Sequence, residues 1–167
     1  MKGIFLLLFS VIAVTSFAQL DTMRPAYQRY PTVPSLQLIL EDSATKYTKA
    51  DLPKNKALLL VIFSPDCEHC KQEASQIAAN KEAFKDIHIV MTTPYPIYRM
   101  KEFAAETGLT GIKNIVVAKD HYYLLPPFFD MRNYPFMALY NKKGDLITTF
   151  IGSAGIEKIL AAFEQGK

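Results

Sequence analysis

The stretch FSPDCEHCKQE, residues 63–73, holds both cysteines of the chain. Two thiols three positions apart can be a structural staple, half of a metal site, or a dithiol that makes and breaks a disulfide. A staple closing so small a loop removes little entropy from the unfolded chain. Zinc takes four protein ligands, or three and a water. His69, His88 and His121 are the three histidines, and none stands at ligand spacing to the pair. Met91, Met100, Met131 and Met137, with His121, have the softness that copper(I) accepts, but methionine serves equally as filler of irregular core gaps. The working dithiol is the reading best matched to the pair, and no metal site is expected.

The elements around the pair favour that chemistry. Ala57–Phe63 (ALLLVIF) is an unbroken apolar run, the pattern of a strand buried on both faces, and Pro65 stops it. From Cys67 to Phe84 the period changes: Cys70, Ala74, Ile77 and Ala78 recur at helical spacing among polar residues. A helix therefore starts at the cysteines. Its first turn carries unpaired N–H groups and partial positive charge, which favour a thiolate at Cys67. Cys70, one turn deeper on the same face, is the shielded, resolving thiol. Asp66 and Ser64 are both candidates for the helix cap.

Beyond the pair, Leu36–Glu41 is strand-like, 42–46 a turn and 48–53 a short connection. Ile87–Thr92 reads as a second buried strand. Pro96–Thr107 reads as a helix with Pro96 in its first turn and Gly108 at its end. Ile115–Ala118 is a short strand or turn. Tyr122–Met131 is aromatic-rich and broken by Pro126-Pro127, open to helix or loop. Phe136–Tyr140 and Leu146–Ile151 flank the turn residues Asn141-Lys142-Lys143-Gly144 as a β-hairpin, and Ile156–Phe163 closes the chain as a helix. A βαβ half joined to a ββα half gives the α/β class, a central mixed β-sheet flanked by helices on both faces.

The N-terminus, MKGIFLLLFSVIAVTSFAQL, has Lys2, an apolar stretch Ile4–Val14 and small residues at Ser16 and Ala18. That is a secretory signal peptide over residues 1–18, with cleavage between Ala18 and Gln19. The alternative is an N-terminal membrane anchor, for which the 15 apolar-rich residues of 4–18 fall short of the roughly 20 a spanning helix needs. Removing 18 of the 167 residues leaves 149, a single domain of ordinary size, and loss of Lys2 lowers the net charge from +3 to +2. That balance, without a basic run, gives no footprint for nucleic acid. Residues 19–35, with Pro25, Pro31 and Pro34, read as an extended lead-in.

Over roughly residues 36–165 the chain resembles the thioredoxin fold, and within it the exported TlpA/ResA-like thiol–disulfide oxidoreductases. The resemblance rests on LLLVIFSPDCEHCKQE, on YPFMALYNKKGDLITTFIG and on the order of the elements, so that 36–167 is expected to be one thioredoxin-like domain. It implies Cys67 as attacking nucleophile and Cys70 as resolving cysteine. It also implies a cis peptide bond at Pro135, with Tyr134 and Pro135 receiving a client polypeptide in a strand-like pose. Glu73, three residues after Cys70, matches an acid typical of the ResA-like motif, to be weighed against an ordinary solvated helix face.

The departures are specific. Val61 stands where thioredoxins carry a buried acid, so Glu73 is the candidate replacement as proton partner of Cys70. Phe63 replaces the tryptophan that precedes the motif. His69 before the second cysteine is what strongly oxidising periplasmic oxidases carry, and a protonated imidazole there stabilises the Cys67 thiolate; Glu68 opposes it by like charge. Tyr122, Tyr123, Phe128, Phe129, Tyr134 and Phe136 are read as core packing in preference to a client-binding shelf.

The function expected is thiol–disulfide exchange with exported protein clients, as a reductant of specific clients such as apocytochrome c. A disulfide oxidase and a copper or zinc carrier of the same fold are the alternatives. The protein is expected to act as a periplasmic monomer with no cofactor beyond the dithiol, regenerated by a membrane redox partner.

Overall fold

The computed structural model describes residues 24–166. The signal peptide read over 1–18 lies outside the described residues. Among them, no helix is long and apolar enough to cross a membrane.

Seven strands form one sheet in the order β2-β1-β5-β4-β3-β6-β7. They are β1 (Gln37–Ile39), β2 (Lys46–Thr48), β3 (Ala57–Ile62), β4 (Ile87–Thr93), β5 (Ile115–Asp120), β6 (Phe136–Tyr140) and β7 (Leu146–Ile151). The helices are α1 (Ala26–Arg29), α2 (Glu68–Ala79), α3 (Ile97–Glu106), α4 (Leu125–Phe128) and α5 (Ile156–Gln165). β3, β4 and β5 are parallel neighbours, while β6 and β7 continue the sheet antiparallel on one side and β1 and β2 on the other.

Alternation along the strands divides the core. Leu59, Val61 and Phe63 point to one face with Met137 and Leu139, where they meet α2, α3 and α5 through Cys70, Ala74, Ile77, Met100, Phe103, Ile159 and Phe163. Leu58, Leu60 and Ile62 point to the other with Phe136, Ala138 and Tyr140. There they are covered by the lead-in residues Val33, Leu36 and Leu38 and by Leu125 and Phe129 of the α4 segment. Helices thus lie on both faces, three long ones on the first and two four-residue ones on the second. Two consecutive right-handed β-α-β crossovers in the direction β3 to β4 to β5 put α2 and α3 on the same face.

Three expectations need correction. The lead-in is not extended throughout, because Ala26–Arg29 forms a helical turn and Thr32 bridges Asp145. The segment taken as turn and connection contains β2 and a 3-10 turn over Lys49–Asp51, whose start is held by Thr48 N–H donating to the Asp51 carboxylate at 2.8 Å. A three-residue edge strand is too short to show a period, so only its pairing with β1 defines it. The helix from the cysteines ends at Ala79, and Lys81–Phe84 is a separate 3-10 turn.

Candidate active site

β3 delivers the chain to the carboxyl edge of the parallel strands, where ligands and reactive groups gather in open α/β sheets. Phe63 remains in the core, stacked on Phe103 with ring centroids 4.0 Å apart. Helix α2 then begins, and its cap is neither Asp66 nor Ser64 but Cys67 itself. Cys67 has extended backbone, and its Sγ accepts the N–H of Cys70 at 3.2 Å, the position an oxygen takes in a serine or threonine cap. Asp66 is instead ion-paired with Arg99, and the Ser64 carbonyl accepts Cys67 N–H. The sulfur that would attack a partner is thus the group that satisfies the helix start.

Both cysteines are free thiols in quite different surroundings. Cys67 is half-buried, while Cys70 is 1 % exposed in the helix-side core. Burial, and after it the hydrogen bond with Cys67, push the Cys70 thiol well above its ordinary range. One sulfur is accessible and the other is held protonated, the asymmetry that an attacking and a resolving thiol need.

The Tyr134–Pro135 peptide bond is cis. Cys67 Sγ lies 3.8 Å from the Tyr134 carbonyl oxygen, to which its thiol donates. Tyr134 stands edge-on to Tyr95 at 6.5 Å between ring centroids. Its phenol is pushed up to about 12, first by burial and then by the phenols of Tyr95 and Tyr123.

Glu73 is not on a solvated face. It is 2 % exposed, and its Oε2 accepts the N–H groups of Ala154 and Gly155 at 3.0 and 3.3 Å, tying α2 to the start of α5. Its Oε1 is buried without a partner, one turn from Cys70 on the same helix. Glu68 and His69 are exposed in the first turn; the His69 carbonyl accepts from Ser153, and its imidazole has no partner among the described residues. Val61 is buried in the same cluster as Cys70.

The sequence matches the thioredoxin-like domain over residues 44–167. The chain belongs to the thioredoxin-like family. No match to a curated protein is found. Among solved structures, this thioredoxin-like chain is similar to a secreted Mycobacterium tuberculosis disulfide oxidoreductase described as homologous to E. coli DsbE (16 % identity, TM-score 0.65, covering 78 % of this chain and 95 % of that one). It is also similar to a thiol:disulfide interchange protein DsbE from Chlorobium tepidum (17 %, TM-score 0.64, 79 % and 95 %). StoA from Bacillus subtilis is a third (19 %, TM-score 0.61, 79 % and 98 %). At these identities the likeness is one of fold.

The aromatic residues divide differently from expectation. Phe129 and Phe136 are core, but Tyr122 and Tyr123 are 59 % and 54 % exposed, because the turn after β5 projects them from the carboxyl edge. Asp120 and Tyr95, which sequence reasoning passed over, also lie at that edge. The available signal was their position, Asp120 as the last residue of β5 and Tyr95 as the second residue after β4. Met91, Met100 and Met137 fill the helix-side core, and Met131 packs partly buried against the other face.

Proposed function

We propose that this thioredoxin-like protein is an exported thiol–disulfide oxidoreductase acting on protein clients, and that it reduces specific ones. The supporting observation is the asymmetric dithiol: an accessible Cys67 sulfur at a helix start beside the Tyr134 carbonyl, and a buried, protonated Cys70 behind it.

In the forward reaction the Cys67 thiolate attacks one sulfur of a client disulfide. The other client sulfur leaves as a thiolate and takes up a proton, and a mixed disulfide joins Cys67 to the client. Cys70 then loses its proton, attacks Cys67 Sγ and releases the second client thiolate, which is protonated in turn. The client has gained two electrons and two protons, and the protein holds a Cys67–Cys70 disulfide. A dithiol donor at the membrane must reduce it again. The unpartnered Glu73 Oε1, one turn from Cys70, supports Glu73 as acceptor of the Cys70 proton, and Tyr134 and Pro135 support a strand-like seat for the client. The TlpA/ResA resemblance makes an apocytochrome with a C-x-x-C-H motif the leading client.

The test is Cys70→Ser expressed with its signal peptide in the periplasm. Its mixed disulfide should persist as one or a few higher-mass bands on non-reducing gels, lost with dithiothreitol and absent for Cys67→Ser. A broad ladder would instead favour a general oxidase, the reading that rests on His69. Equal emptiness of both variants would move the copper or zinc carrier forward.

A further inference from the structure

A cavity of about 130 Å³ lies at the amino end of the parallel strands, between the loop that enters β3 and the turn that joins β6 to β7. Lys54, Lys56, Lys142 and Lys143 line it together with Asn141 and His88, and among the described residues no Asp or Glu does. Asn55, left-handed at φ +61°, turns the chain between the first two lysines; asparagine enters that region more readily than most residues. The cysteines stand at the other end of the sheet, about 20 Å away along the six residues of β3.

The four ammonium groups are left for a partner. Among the described residues none of them pairs with a carboxylate, and Lys56 donates only to the Lys85 carbonyl, at 3.0 Å. The acid next to the turn, Asp145, is taken by Asn141, whose carboxamide donates to it at 3.2 Å and accepts the N–H groups of Lys143 and Asp145. Like charges around one small hollow repel at short range, and a bound anion turns that cost into attraction.

The cavity also reaches a buried donor. His88 is 8 % exposed; Tyr47 holds its Nε2 at 2.8 Å, and its Nδ1 has no partner among the described residues. Burial, then Lys56, keep the imidazole below its ordinary pKa, so the ring is neutral near pH 7. With Tyr47 O–H donating to Nε2, the ring proton sits on Nδ1 and is free to donate. Size and donor type narrow the occupant. The volume equals that of roughly four waters and falls below the roughly 300 Å³ at which pockets for drug-sized ligands begin, which suits an anion of a few heavy atoms. No arginine lines the cavity, so the planar fork that matches a carboxylate is missing, while ammonium groups grip a phosphate as point charges.

We infer that this cavity is a seat for one phosphate group, held by Lys54, Lys56, Lys142 and Lys143 and hydrogen-bonded by His88. Free phosphate and the phosphate of an anionic lipid headgroup share this chemistry. A headgroup in the seat sets the amino end on a membrane and turns the dithiol, at the far ends of the strands, away from it.

The test follows the His88 ring nitrogens by NMR in the purified exported protein near neutral pH. Inorganic phosphate should shift them saturably, whereas chloride at matched ionic strength should not. Lys54 and Lys143 are exposed, so their replacement leaves the core intact. Lys54→Ala and Lys143→Ala should each raise the half-saturating concentration about two- to fivefold, and the double variant by about the product. Lys101→Ala on α3, which removes the same charge away from the cavity, should leave it unchanged. A His88 response to phosphate without binding to phosphatidylglycerol vesicles assigns the seat to a free anion. Co-sedimentation with phosphatidylglycerol vesicles but not with pure phosphatidylcholine, shifting His88 and lost in the double variant, assigns it to a headgroup. An unmoved His88 with both probes, an equal shift in chloride, or an equal loss in Lys101→Ala would overturn the seat and leave the oxidoreductase reading standing, because Cys67 lies at the other end of the sheet.

Discussion

The two ends of the sheet differ in how they treat their polar groups. At the amino end of the parallel strands the loops are closed on themselves. Asn141 accepts the N–H groups of Lys143 and Asp145 and donates to the Asp145 carboxylate. Val33 and Leu146 stitch the lead-in to the hairpin, Asn114 donates to the Phe84 and Ile87 carbonyls, and Tyr47 is bonded to the buried His88 at 2.8 Å. At the carboxyl end the accessible sulfur caps a helix, a tyrosine sits left-handed in solvent, and Glu73 Oε1 and Thr92 Oγ1 are buried without partners. Among the described residues, the Tyr140 hydroxyl is the one such atom at the amino end. An end that holds the fold can satisfy most of its buried groups internally; an end that does chemistry keeps some for a partner.

The largest effect should separate the thiols. Iodoacetamide at neutral pH should modify Cys67 on the order of a hundredfold faster than Cys70, because burial holds Cys70 protonated; peptide mapping at low stoichiometry reads the ratio. Equal labelling would remove the asymmetry on which the mechanism stands.

Next is Glu73→Ala, which strips an acceptor from two N–H groups at the start of α5 and opens space in the core. A loss of about 2–4 kcal/mol in urea unfolding is expected, with part regained in Glu73→Gln. A loss below about 0.5 kcal/mol would show that Glu73 is dispensable to the fold. Asp120→Ala should cost about 1–2 kcal/mol by freeing the Leu124 and Leu125 N–H groups, read in the same urea unfolding.

The smallest effect belongs to the amino end. Tyr47→Phe leaves one His88 nitrogen without its partner and should cost about 1 kcal/mol. Burial, then Lys56, hold the folded His88 below its ordinary value, while the unfolded imidazole takes a proton near about 6.5. Below that pH the unfolded state binds more protons. The contribution is therefore complete above about pH 6.5 and is lost as pH falls through the folded value. Thermal midpoints measured from pH 8 down to 5 should decline, and His88→Gln should flatten the decline. If the variant keeps the full slope, the pH dependence comes from elsewhere.

What the sequence determined by itself is what short spacing determines. The run from Ala57, the change of period at Cys67 and the hairpin around Asn141–Gly144 each depend on neighbours within a few residues, so the strand–dithiol–helix unit and the mixed sheet were legible in advance. The tertiary structure decided whatever joins distant segments. Cys67 meets Tyr134 across 67 positions, and Glu73 meets Ala154 across 81, which is why a residue readable as a solvated helix face turned out to be buried. β2 exists only as the partner of β1. Aromatic character in Tyr122–Phe129 could not say which rings go inward; the buried Asp120 carboxylate and the left-handed Tyr123 settled that Leu125 and Phe129 enter the core while Tyr122 and Tyr123 face solvent. A local pattern sets what a segment can become, and the partner that arrives from elsewhere in the chain sets which of its faces is buried.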